Sequence, residues 1–323
     1  MHEPVMLREV LDVLSPAAGS LQVDGTVGGG GHAVELARHT GSTGHLVAMD
    51  RDPEMLERAR QRLIEELEGT DRPKMTFAAQ TYEELPAVLR EQAEDRRADG
   101  VLLDLGVNSL QLDDPGRGFS FTREGPLDAR FDRTAPGPTA ADLLNTAPEK
   151  EIERWLREYG DERHARRIAR AIGRRRAETP LRTTTELADL VRRCYPPAHR
   201  HGRTAPATRT FQALRIATND ELGTAARGVR ACLEALAPGG VLAVLTFHSG
   251  EDRIVKRLFR DASTPPEDPD NPYSVRSEVE PDFELAVRKP LACSPAEAER
   301  NPRARSARLR AIRRRKEAPG DER

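Results

Sequence analysis

Little in this chain can staple it or anchor it. Its 323 residues include three cysteines, Cys194, Cys232 and Cys293, which stand far apart and form no C-x-x-C pair. Neither a zinc site nor a disulfide framework can be built from them, and reduced, structural thiols are the reading that remains. No stretch approaches the roughly 20 apolar residues that span a bilayer. Met1 to Asp12 scatters Glu3, Arg8, Glu9 and Asp12 among its apolar residues, which excludes the apolar run of a signal peptide. The expected location is cytoplasmic, with no membrane partner and no bound metal.

Acidic residues are also missing from three places. The net charge is only −2, yet Arg163 to Arg176 holds seven arginines and no acid. Arg200 to Arg215 holds four more, and Arg300 to Lys316 nine basic residues, again without an acid. Acid-free basic segments in a chain of balanced charge fit a phosphate-backbone surface; the plainer alternative is a set of solvated faces.

What is present is an alternation. Leu21-Gln22-Val23-Asp24, His45 to Asp50 and Val101-Leu102-Leu103-Asp104 are short apolar runs of β type, and Pro53 to Leu67 and Tyr82 to Glu94 read as helices. Strands alternating with helices of this length predict an α/β fold whose parallel sheet is covered on both faces, with ligands at the strand C-ends. From Ser109 the pattern changes. Asp113 to Gly118 is turn-rich, and Thr139 to Tyr195 places Leu143 and Leu144, then Ile152, Trp155 and Leu156, then Ile168, Ala169 and Ile172 at helical spacing, which predicts an all-helical insertion. The β pattern resumes at Gly239 to His248, a Pro-Gly-Gly turn leading into a continuous apolar strand. Asp261 to Asp282, rich in Pro and Asp, reads as a surface loop, and Ser306 to Ile312 as a last strand.

The residues suited to chemistry sit at strand ends. Asp24-Gly25-Thr26-Val27-Gly28-Gly29-Gly30-Gly31-His32 follows a strand and opens a helix, so backbone amides and a helix N-terminus can meet a ligand. Gly28-x-Gly30-x-x-Ala33 also satisfies the dinucleotide fingerprint, so the motif alone does not choose between cofactors. Of the two acids that follow, Asp52 precedes Pro53 and reads as a helix N-cap, which leaves Asp50 for a ribose. Asp104 ends another strand, where it either caps a turn or faces a cation. His248 closes the last apolar strand beside Ser249 and Glu251, and either a structural or a catalytic role is open to it.

Several blocks carry a specific resemblance. Asp24 to His32, Met49 to Pro53, Leu102 to Val107, Gln111-Leu112-Asp113, Arg117 to Phe121, Gly125 to Asp128, Arg209 to Ile216, Phe247-His248-Ser249 and Asn301 to Ser306 resemble the RsmH/MraW family of bacterial small-subunit ribosomal RNA cytosine-N4 methyltransferases. The likeness runs in the family's order from His2 to about Arg314. It implies a Rossmann-like, S-adenosyl-L-methionine-dependent methyltransferase sheet in residues 1–108 and 215–323, interrupted by a helical substrate-recognition insert in 109–214. It implies cofactor contacts at Gly30, Gly31, His32, Asp50, Tyr82, Asp104 and Gln111, with Asp104 and His248 as catalytic candidates. The implied partner is 16S ribosomal RNA, in its decoding (P-site) region and within the small subunit; a homodimer stays open. Tyr82 stands where the family usually has Phe, Asn108 and Leu110 replace the commoner Ser and Pro, and Gly250 replaces Leu.

A sulfonium methyl is already activated, so the expected work is alignment with the cytosine amine, worth about 7–11 kcal/mol. Asp104 or a nearby carbonyl would accept an amine hydrogen, the base would be unstacked, the insert's arginines would hold flanking phosphates, and Phe119, Phe121 or Trp155 would stack on a base. An NAD-dependent oxidoreductase shares the glycine loop but has no use for three basic segments, and the chain shows no Tyr-x-x-x-Lys pair. A non-catalytic RNA-binding module explains the arginines and leaves the loop without a purpose.

Overall fold

A computed structural model describes residues 4–200, 205–265 and 280–316, except for the side chain of Arg303. The chain forms two compact units, residues 1–106 with 222–323, and residues 107–221. The division falls at Gly106 and Leu222, where the sequence reading placed 108 and 214. Helix Thr208–Asn219 accounts for the later second boundary, because its Phe211, Ala213 and Leu214 are buried in the core of the second unit.

The first unit is a single mixed sheet. Its strands are β1 (Leu21–Asp24), β2 (His45–Met49), β3 (Lys74–Ala78), β4 (Ala98–Asp104), β5 (Leu236–Thr246), β6 (Phe283–Leu285), β7 (Leu291–Ala292) and β8 (Arg308–Arg314). The order is β3-β2-β1-β4-β5-β8-β6, with β7 also on β8; β1 to β5 run parallel and β8 antiparallel to β5. The chain travels outward from β1 to β3 and then returns to the other side of β1. That reversal opens a crevice at the C-ends of β1 and β4, the usual ligand position in such sheets.

Continuous apolar strands are explained by burial on both faces. Val101 and Leu103 enter one core with Leu21, Val23, Val47 and Met49, whereas Leu102 enters the other with Leu46, Ala48 and Ala243. Each fully buried Leu or Val contributes about 1.5–3 kcal/mol, so both faces of these strands are held by burial. Three elements depart from the sequence reading. β3 escaped it because an edge strand with Lys74 exposed lacks the continuous apolar signature. Pro238-Gly239-Gly240 is no turn before a strand but lies inside β5, where the register against β4 shifts between Ala98 and Gly100. The Asp261 to Asp282 segment falls mostly outside the described residues; Asp261 and Ala262 end helix Ser249–Ala262.

In the second unit the described residues are helical apart from turns, loops and one bridge between Pro126 and Thr183. Leu144, Ile152, Trp155, Leu156, Ile168, Ala169 and Ile172 form its core. Among the described residues, no helix of either unit is long and apolar enough to cross a membrane.

Candidate active site

Three parallel strands bring an aspartate to the same edge of the sheet. Asp24 ends β1, Asp104 ends β4, and Asp50 follows β2. The turn after β1 ties these ends together: Gly25 N–H donates to Leu102 O at 2.9 Å, Val27 N–H to Met49 O at 2.8 Å, and Asp104 N–H to Thr26 Oγ1 at 2.6 Å. Gly25 is required there, since a Cβ would stand 2.6 Å from Leu103 Cδ2.

The site is electrostatically uncomfortable without a positive guest. Burial, followed by the charges of Asp24 and Glu251, pushes the Asp104 carboxyl up to about 8. Asp24, only 2% exposed, is pushed up to about 7 by burial, against the hydrogen bond it accepts from Thr26 N–H at 3.2 Å. Burial raises Asp50 to about 6. Asp104 Oδ1 is buried without a hydrogen-bond partner, and Asp104 therefore caps nothing. Carboxyls that suppress one another's ionisation, with one oxygen unsatisfied, form a site that a cation would complete. Asp24 and Glu251 were not singled out as site residues from sequence. Asp24 had a signal, an acid closing an apolar strand as Asp104 does; Glu251 had none, because its place beside Asp104 depends on the pairing of β5 with β4.

The glycine motif divides its labour. At Gly30, φ is +77° and a Cβ would lie 3.2 Å from Ala59 Cα; at Gly31 a Cβ would lie 3.2 Å from Pro4. Their missing side chains thus serve close packing of protein on protein. What they offer a ligand is the amide-lined start of helix Gly31–Thr40. His32, 6% exposed, contacts Val5 O through Nε2 at 2.9 Å and turns Nδ1 toward Asp104 Oδ2 at 3.8 Å.

Asp50 is not left free, as the sequence suggested. Its two oxygens accept from Gly28 N–H and Asp52 N–H, both at 2.9 Å. Each carboxylate oxygen keeps a second acceptor position, so a ribose hydroxyl can still be bound. Asp52 is the N-cap of helix Pro53–Glu66 through Glu54 N–H at 3.1 Å. Tyr82 is half-buried; a Cβ on Gly228 would sit 2.1 Å from its ring, so that glycine makes room for the aromatic beside the motif.

His248 is built in as a cap. Its Nδ1 accepts from Gly250 N–H at 3.1 Å and Glu251 N–H at 3.4 Å, while Nε2 lies 3.1 Å from Glu251 Oε1. Glu251, 2% exposed, accepts in turn from Phe247 N–H at 2.8 Å. An Nδ1 that accepts requires the proton on Nε2, which lies close to Glu251 Oε1 but is buried without a hydrogen-bond partner.

The first unit therefore gathers Gly30, Gly31, His32, Asp50, Tyr82, Asp104 and His248 and adds Asp24 and Glu251. Gln111 belongs to the second unit. There it forms a capping box with Asn108, its N–H donating to Asn108 Oδ1 at 2.9 Å and its Oε1 accepting from Asn108 N–H at 3.1 Å. Of the aromatic platforms expected for a base, Trp155 and Phe119 are buried core residues, Phe119 packing on Phe131 with centroids 5.2 Å apart, while Phe121 is half-buried and packs on Phe211 at 4.9 Å.

A Rossmann-like sheet with an acid-lined crevice at its switch point is the frame of an enzyme with a nucleotide-type cofactor, and the family the chain belongs to makes it a methyltransferase whose methyl donor is S-adenosyl-L-methionine. The chain belongs to the MraW methylase family, whose description matches residues 1–315. It is 45% identical over 314 residues to a "Ribosomal RNA small subunit methyltransferase H" of Heliobacterium modesticaldum, covering 96% of this chain and 97% of the relative. It is 48% identical over 313 residues to the protein of the same name from Syntrophotalea carbinolica, covering 97% and 98%. Among solved structures, an rRNA methylase from Streptococcus thermophilus superposes with a TM-score of 0.41 at 11% identity, covering 98% of this chain and 99% of that one.

Proposed function

We propose that the chain transfers a methyl group to the exocyclic N4 amine of a cytidine in the decoding (P-site) region of 16S ribosomal RNA. The coarser part, methylation of small-subunit ribosomal RNA, follows from family membership and from the names of relatives that match almost end to end. Of the finer part, an exocyclic amine as acceptor is supported by the unsatisfied Asp104 Oδ1 beside Asp24 and Glu251, and the cytidine and its region by the RsmH/MraW resemblance. The residues fit the donor: Asp50 suits its ribose, Tyr82 its adenine, the helix start at Gly30-Gly31-His32 its carboxylate, and the strand-end acids its positive charge.

When bound, S-adenosyl-L-methionine supplies a methyl group already activated on a sulfonium. Asp104 does two things beside it. As a carboxylate it attracts positive charge, and it accepts a hydrogen from the amine, whose lone pair is otherwise delocalised into the ring. His32 Nδ1 stands 3.8 Å from the same carboxyl, beyond hydrogen-bond reach. His248 caps through Nδ1 the helix whose first turn carries Glu251, a positioning role, and its buried Nε2, which has no hydrogen-bond partner, leaves a direct proton transfer open to it. The reading places the protein in the cytoplasm, with the small ribosomal subunit as partner.

The test is incubation of the protein with methyl-labelled donor and small subunits from cells that lack it, followed by nucleoside analysis. N4-methylcytidine from the decoding region is expected. Label confined to another nucleoside overturns the reading.

A further inference from the structure

Resting on that reading of an RNA substrate, we propose that the N-terminal half of helix Ala165–Glu178 is a binding groove for single-stranded RNA, with the ring of His164 as the platform for one base. Arg163, His164, Arg166, Arg167, Arg170 and Arg174 line an open groove of about 370 Å³. The five arginines are exposed, and successive turns of a helix space them about 5.4 Å apart, within reach of consecutive phosphates.

Unpaired charge marks this groove out. On the neighbouring helix, Glu149–Glu158, Arg154 is paired with Glu151 and Glu158, and Arg157 with Glu153. Arg192 is paired with Asp189 at 2.9 Å and Arg130 with Asp128 at 2.8 Å. In the groove, Arg170 reaches Glu149 at 3.8 Å while half exposed, and Arg163, Arg166, Arg167 and Arg174 have no acidic partner among the described residues. Such mutual repulsion is unfavourable unless an anion relieves it.

The floor is pre-set. Glu162, 3% exposed, accepts from His164 N–H at 2.8 Å and from the Tyr195 hydroxyl. The His164 ring meets the Tyr195 ring edge-on, with centroids 4.6 Å apart. Arg200 Nε ties down Tyr195 O at 3.0 Å. A fixed aromatic ring among exposed guanidinium groups is the combination used for single strands, stacking for the base and cations for the backbone.

Much of the charge of the other two basic segments is occupied. Arg209 bonds Asp161 O at 2.8 Å, and Arg215 is paired with Glu221 at 2.7 Å; Arg203 lies outside the described residues. The C-terminal segment includes strand β8, where Arg310 is paired with Asp252 at 2.7 Å and Arg314 bonds Leu236 O, and just after it Arg315 is paired with Glu280 at 2.8 Å.

The experiment uses the full chain and a fluorescent single-stranded RNA copied from the decoding region, with affinity measured against salt. The combined variant Arg166→Gln, Arg167→Gln, Arg174→Gln is expected to bind it at least about tenfold more weakly. Its salt slope should fall by about 0.7 per lost contact, with cofactor affinity unchanged. Lysine at the same three positions should restore the slope. His164→Ala is expected to weaken binding at least about fivefold with the slope unchanged. Arg154→Gln with Arg157→Gln, which removes paired arginines, should leave both quantities alone. Wild-type affinity and slope in the folded glutamine variant overturn the groove, even where the wild type methylates small subunits normally. Lost affinity for a ribosomal protein with RNA affinity intact also overturns it, in favour of an acidic protein partner. Failure of the wild type to methylate the subunit overturns the parent reading instead.

Discussion

At the scale of the residue, Asp104 carries the chemistry. It is a carboxylate among carboxylates, and its unsatisfied oxygen is the acceptor available at the sheet edge. Asp104→Asn keeps the volume and removes the charge; single-turnover transfer at saturating donor and RNA should slow by at least about tenfold, the scale of one hydrogen bond to a charged group. An unchanged rate would reduce Asp104 to a contact. For His248 the relevant comparison is between two substitutions. Asparagine is a good N-cap, so His248→Asn should keep the rate within a few-fold, whereas His248→Ala should cost about 0.5–2 kcal/mol of stability in denaturant unfolding. A collapse of transfer in a stable His248→Asn protein would instead show that its ring moves a proton. Asp50 and Asp104 could be picked from sequence because each closes an apolar run on the ligand edge. The capping role of His248 could not, since its partners are the amides of Gly250 and Glu251 and nothing in the residue types marks a histidine as a cap.

At the scale of the element, the loop after β1 shows how tightly packing and binding are combined. Gly30 has φ +77° and almost touches Ala59 on helix Pro53–Glu66. Gly30→Ala is therefore expected to cost roughly 1–3 kcal/mol in urea unfolding, from the left-handed backbone and the contact together. Ala59→Gly should not recover it, because the nearest atom is the Ala59 backbone Cα, which that change leaves in place. Wild-type stability in Gly30→Ala would mean that the glycine is kept for the ligand alone. Elements with strong local patterns were legible: β1 and helix Pro53–Glu66 fall within a residue of their sequence limits. The short strands β6 and β7 were not, because they exist only by pairing with β8, far along the chain. The last strand was legible as Ser306 to Ile312, but composition did not reveal that its Arg310 reaches an acid and its Arg314 a carbonyl, since those partners lie far along the chain.

At the scale of the whole molecule, the acid cluster links stability, pH and ligand. Folding raises the proton affinity of Asp24 and Asp104 above the ordinary carboxylate value of 3.8. The folded chain then holds more protons than the unfolded one, so this contribution is complete below that value and is lost as pH rises through about 7 and 8. His45, whose imidazole is driven down chiefly by burial, works in the opposite sense below its ordinary value of 6.5. Between pH 6.5 and 8.5 the ligand-free protein should therefore lose melting temperature with rising pH, and Asp104→Asn should lose less. A cation in the crevice takes the place of the protons. The most direct measurement is calorimetry of S-adenosyl-L-methionine binding at pH 7 in two buffers of different ionisation enthalpy, on the wild type and on Asp104→Asn. Release of about one proton by the wild type, and much less by the variant, is the expected result. Binding with no proton exchange in the wild type would contradict a donor site built on these carboxyls.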